Sequence, residues 1–113
     1  MQIRSYGVAA VADGGGGWNP VIITQDEAGD MRAIFGWHRV GATGLDGGTY
    51  AVAIKIPGDD VTWWTHATGV ANNVLTEIDV PCDQIKITIS GAGIAADPAI
   101  QMVSRPWREY RGR

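Results

Sequence analysis

One cysteine, one phenylalanine and two histidines in 113 residues exclude several kinds of protein at once. With Cys82 alone, no disulfide can form within the chain, which argues against a small secreted scaffold held by cross-links. The thiol follows Pro81 in a turn and reads as a small, partly buried group, because neither histidine supplies the base a catalytic cysteine needs. No apolar run approaches the roughly 18 residues of a membrane span, and Met1 leads into a short mixed segment rather than a signal sequence. The expectation is a soluble chain, made in the cytoplasm, with no membrane partner.

Chemistry-bearing patterns are equally scarce. Gly91-Ala92-Gly93-Ile94-Ala95-Ala96 matches the dinucleotide pattern G-x-G-x-x-G/A after a strand. Asp97-Pro98 then halts the helix whose N-terminus would hold the pyrophosphate, so these residues read as a loop. The run Gly14 to Gly17 lacks the Lys-Ser/Thr pair of a phosphate loop and reads as a flexible joint. His38 and His66 fall on separate strands, and the acids Asp59 and Asp60 sit in a turn where solvent claims them. Ser5, Ser90 and Ser104 stand in no nucleophile elbow, and Glu27, Glu77 and Glu109 are too dispersed to mark a carboxylate pair. No catalytic residue, metal site or cofactor is expected, and the chain does not read as an enzyme.

What the chain has in quantity is glycine, 16 residues, about twice the usual share of roughly 7%, without a collagen period. Tight turns explain it, and alternation between them is clear. Tyr50, Val52, Ile54 and Ile56 are large and apolar against Thr49, Ala51, Ala53 and Lys55, the two-residue period of a half-buried strand. Val74, Thr76, Ile78 and Val80 repeat it, as do Ile85, Ile87 and Ile89. Strands are expected over 49–56, 61–66, 73–80 and 84–90, with Pro57-Gly58-Asp59-Asp60 turning the first into the second. Four strands in so short a stretch leave no room for parallel crossovers. Further strands at 3–8, 21–24, 31–40 and 99–103 bring the total to about eight. The predicted fold is all-β, a single antiparallel β-sandwich of jelly-roll type, with residues 1–19 as a flexible N-terminal arm, 20–104 as the sandwich and 105–113 as a basic tail.

That tail, Arg-Pro-Trp-Arg-Glu-Tyr-Arg-Gly-Arg, sets four arginines against one glutamate, a local +3 in a chain of net charge −3. Arginine with tryptophan and tyrosine is the composition of buried interface centres, so Arg105, Trp107, Arg108, Tyr110, Arg111 and Arg113 are candidates for docking onto another protein chain rather than nucleic acid, with a solvated, disordered terminus as the alternative reading. Trp18 joins them as an aromatic expected in the core or an interface. Trp63 and Trp64 are adjacent on an expected strand, so one should enter the core while the other faces solvent, a glycan or another subunit.

The order from Phe35 to Arg105 carries a resemblance. An aromatic strand and a glycine-rich loop precede Gly47-Gly48-Thr49, then Asp59-Asp60-Val61-Thr62-Trp63, Ile78-Asp79-Val80-Pro81-Cys82-Asp83-Gln84-Ile85-Lys86 and Ile89-Ser90-Gly91. This resembles small tailed-phage virion proteins of β-sandwich type, including capsid decoration or cement proteins and related tail or head-fibre modules. The resemblance implies a structural protein on the capsid surface that binds the assembled major capsid protein without turnover, as a homo-oligomer, commonly a trimer. A tail or fibre component and a carbohydrate-binding module are the alternative readings.

Overall fold

Isoleucines at every second position of 85–89 point one way and the residues between them the other, so β7 (Gln84–Ser90) buries one face only. β4 (Thr49–Lys55) does the same with Tyr50, Val52 and Ile54. The two strands pair antiparallel with Val52 opposite Ile87, so their apolar faces fuse into one surface that must be covered. The computed structural model describes residues 4–24, 36–59 and 61–106, and within them a second sheet supplies the cover.

The remaining strands are β1 (Arg4–Ala9), β2 (Val21–Thr24), β3 (Gly36–Thr43), β5 (Trp64–Ala71), β6 (Thr76–Ile78) and β8 (Ala99–Pro106). One sheet has the order β1-β8-β3-β6 and the other β2-β7-β4-β5, all antiparallel. The pairs β1 with β8, β2 with β7, β3 with β6 and β4 with β5 are nested, as if one long hairpin had been rolled up. That is the jelly-roll arrangement, and it makes the predicted β-sandwich the observed one. Val40, Ala42, Ile78, Ile100 and Met102 face Ile23, Tyr50, Val52, Ile54, Ile85, Ile87 and Ile89 across the core. Each large side chain enclosed there contributes on the order of 1.5–3 kcal/mol.

Several segments differ from their sequence expectations. The strand expected at 3–8 is present as β1, but it belongs to the first sheet rather than to a free arm, because Tyr6 and Val8 pack on the core while the backbone bonds to β8. The glycine run is a closed turn rather than a loose joint. Asp13 Oδ1 accepts the Gly15 and Gly17 N–H groups at 2.7 and 3.1 Å, and Ala12 and Trp18 form a bridge across it. The expected strand 73–80 shrinks to three residues, since Asn73 adopts a left-handed φ of 65° and Val74 closes a turn on Ala71. The strand after the Pro57 turn begins at Trp64, three residues late, because Asp59 Oδ1 holds the Val61 and Thr62 N–H groups and prolongs the turn.

Strand polarity sorts the loops. At one end the β1–β2, β3–β4, β5–β6 and β7–β8 loops are tied together, with Asp97 N donating to Gly44 O, Leu45 N to Asn72 Oδ1 and Ala10 N to Pro98 O. The opposite end carries the β4–β5 and β6–β7 connections, where Asp83 N donates to Lys55 O at 2.7 Å, together with the start of β1 and the finish of β8.

Candidate functional site

Trp63 closes the prolonged turn just before β5 and lies on the outer face of the second sheet. The Asp59 carboxylate fixes the approach to it. Bonds from the Val61 and then the Thr62 N–H hold that carboxyl below its usual value, and Asp59 N is itself anchored to Ile56 O. Lys55 on β4 and Lys86 on β7 point outward, opposite in parity to the buried isoleucines, and both ammonium groups meet the Trp63 ring, at 4.8 and 4.6 Å from its centroid. The ring is therefore held over the sheet by two cations on neighbouring strands.

Trp64 is paired with Ile54 and so starts on the inward side, yet it is 51% exposed. β5 is an edge strand, and its first residue overhangs the sandwich instead of entering it. The expectation that one of these two tryptophans enters the core is thus corrected: neither is among the core residues, because Trp63 precedes the strand and Trp64 stands at its rim. Val61, 81% exposed, and the exposed Ile56 and Val80 extend the apolar surface at this end. The arrangement is an aromatic and aliphatic rim beside two fixed positive charges, suited to seating a protein surface with apolar and acidic groups.

Trp18 is elsewhere. It packs against the core at the tied end and donates Nε1–H to Gly93 O at 3.3 Å, so it anchors the β1–β2 loop to the β7–β8 loop. Arg105 lies in β8 opposite Trp37, at the same end as Trp63 and Trp64, although its side chain is outside the described set. Trp107, Arg108, Tyr110, Arg111 and Arg113 lie outside the described residues.

Sequence reasoning overlooked a second surface. On the outer face of the first sheet, Arg39 stacks on Trp37 at 5.0 Å and pairs with Glu77 at 3.7 Å. Beside it Leu75, 59% exposed, lies across Gly41, where an added Cβ would come within 3.0 Å of Leu75 Cδ2. A shallow cavity of about 220 Å³ opens there between Ser5, Arg39, Leu75, Gln101 and Val103. It is below the roughly 300 Å³ of ordinary ligand pockets. Gly41 falls just past the strand expected at 31–40, so nothing local marked it; β3 in fact runs on to Thr43.

The groups with catalytic or metal-binding potential are dispersed. His38 Nδ1 is hydrogen-bonded to the Ser104 hydroxyl, but the two residues are 0% and 4% exposed, so no substrate reaches the pair without opening the core. His66 donates Nε2–H to the Glu77 carbonyl at 2.7 Å and ties β5 to β6. Among the described residues no three His, Cys, Asp or Glu side chains gather in a way that could hold a metal. No protein-family model matches the chain, and no curated protein and no solved structure matches it.

Proposed function

We propose that this chain is a non-enzymatic structural protein of a virion, a decoration protein that docks on the assembled major capsid protein and stabilises the shell. The observation that carries the reading is the rim formed by Trp63, held over Lys55 and Lys86, and the exposed Trp64, at the end of the sandwich where β8 leads into the basic tail. Aromatic groups and cations together at one end suit a chain that is held by other chains. Many copies on a repeating lattice make individually weak contacts add up. The resemblance over Phe35–Arg105 supplies the virion context. A Trp64 free of the core also suits stacking on a sugar ring, which is the second reading.

Titrating purified empty shells with the protein tests the main reading. Saturable binding at a fixed ratio to capsid subunits and a raised shell melting temperature are expected, and both should weaken in Trp64→Ala and in a chain ending at Pro106. Shells that bind nothing and melt unchanged would refute it. Binding on a glycan array, lost in Trp64→Ala, would support the second reading instead.

A further inference from the structure

A rolled antiparallel sandwich has four sheet edges, and three of them are blunted here. β2 has four residues and follows Pro20, and β6 has three. β5 pairs with β4 through two register shifts, carries Gly69 at a φ of 63° and is tied to β6 by His66. These are the devices that keep a strand edge from recruiting another chain. β1 has none of them. It is six residues long, in unbroken register with β8, and contains no proline.

Which of its backbone groups are open follows from one bond. Ala10 N donates to Pro98 O at 3.0 Å, so Ala10 and Pro98 form a hydrogen-bonded pair in the register that sets Ala9 opposite Ala99. Alternation then makes Val8 with Ile100 and Tyr6 with Met102 the bonded pairs. The N–H and C=O groups of Ser5, Gly7 and Ala9 consequently point away from β8. At the next outward position Val11 O already accepts Asn19 N at 2.9 Å, so the returning β1–β2 loop covers the edge there and stops short of Ala9. Among the described residues nothing bonds to the outward groups of Ser5, Gly7 and Ala9.

We infer that β1 pairs antiparallel with β1 of a second copy about a two-fold axis at Gly7, joining the two first sheets into one. In the register that sets Gly7 against its own copy, Ser5 meets Ala9 of the other chain, and every open N–H finds an open C=O. Shifting that register by two residues leaves open groups at the end of each strand. On the inner side the same register sets Tyr6 against Val8 of the second copy, an aromatic and β-branched pair that covers two half-buried side chains. On the outer side it brings together only Ser5, Gly7 and Ala9, which are small enough for close approach. Arg4, the one charged residue of β1, falls opposite Ala10 of the other copy in this register, and residues 5–12 contain no Asp, Glu, Lys, Arg or His, so two negatively charged copies meet here with no like charges opposed. The contact is isologous, as two-fold dimers require. It is independent of what the Trp63 rim binds, and a trimer on a capsid axis would have to use other surfaces.

Molar mass measured by light scattering or sedimentation over a concentration series tests the pairing. The wild type should move from the monomer mass towards twice that value. Gly7→Lys should hold the monomer mass at every concentration, because two ammonium groups then meet at the axis. Its Cβ has only Ile100 O at 3.8 Å and Gln101 Cγ at 4.0 Å nearby, so the monomer fold should persist, read as an unchanged far-UV spectrum and melting temperature. A separate pair of variants reads the register. With a one-carbon bis-methanethiosulfonate, which spans the slightly wide Cβ separation of a hydrogen-bonded pair, Gly7→Cys should yield a covalent dimer, its Cα atoms about 5.5 Å apart, whereas Ser5→Cys should not, since Ser5 faces Ala9. Cys82 is buried and should stay silent. A wild type that remains monomeric throughout, a trimer, or equal cross-linking of the two cysteine variants overturns the inference.

Discussion

The hydroxyl of Tyr50 reaches across the core to the carbonyl of Val40, 3.0 Å away, and so joins the inner faces of the two sheets by a polar contact. The Val74 carbonyl also lies within its reach, and the Thr76 hydroxyl, at 3.0 Å, can donate back to the phenol oxygen. One side chain on β4 thereby satisfies groups on β3, β6 and the loop before β6. Tyr50→Phe keeps the ring and strands these partners. It should lower stability by about 1–3 kcal/mol, as a reduced urea midpoint with an unchanged slope. A change below about 0.5 kcal/mol would show that the strap is not needed.

Gly44 carries a different constraint. Its φ is 68°, and an added Cβ would sit 2.1 Å from Asp97 O, so both the backbone and the neighbouring loop exclude a side chain. Gly47 has a φ of 90° but open space around it. Gly47→Ala should therefore cost about 1 kcal/mol from backbone strain alone, and Gly44→Ala at least about 2 kcal/mol. Equal losses would mean that the tie between the β3–β4 and β7–β8 loops can yield freely.

Much of this architecture could be read locally, and the parts that could not are those set at long range. β2 and β7 fall on their expected bounds, and the inward faces of β4 and β7 follow the alternation of Tyr50 to Ile54 and Ile85 to Ile89. β1 was less legible as part of the sheet, because Ser5, Gly7 and Ala9 give weak contrast to Tyr6 and Val8, and its partner lies at the far end of the chain. The Trp63-Trp64 step misled for a related reason. Alternation assigns opposite faces only inside a strand, and the Asp59 carboxylate extends the turn until Trp63 is outside it. Nothing in local sequence places Lys86 beneath that ring, since the contact depends on β4 pairing with β7.

Cys82 sets an alkaline limit. Burial, and secondarily the charge of Asp83, pushes its thiol from about 9 up to about 12, and burial raises the Tyr50 phenol as well. Both groups hold their protons more tightly folded than unfolded, so the stability linked to them is complete below about pH 9 and is lost as pH climbs towards 12. Urea midpoints should fall across that window, and Cys82→Ala should fall less steeply. At pH 8 a thiol reagent should label Cys82 only as fast as the protein unfolds. Rapid labelling of the native protein would contradict its enclosure.

The Trp63 ring and its two lysines offer a test of whether the rim is built or incidental. Each contact is worth about 0.5–1 kcal/mol at an exposed site. If the ammonium groups fix the ring, Trp63→Ala should cost about 1–2 kcal/mol, whereas Lys86→Met keeps most of the aliphatic stem and should lose only the charge contribution. A double-mutant cycle between Trp63 and Lys86, read by urea denaturation, should give a coupling of about 0.5–1 kcal/mol that salt diminishes little, because the ring carries no net charge. The near-UV circular dichroism of the wild type should also change in Lys86→Met, since the ring loses one of its two fixed neighbours. Zero coupling with an unaltered spectrum would mean that the lysines do not hold Trp63. Shell binding in Lys86→Met then separates two roles for the charge. If Lys86 only orients the ring, affinity should fall in step with the spectral change at every salt concentration, and if it meets an acidic group on the partner, affinity should fall further at low salt and the deficit relative to wild type should narrow as salt rises.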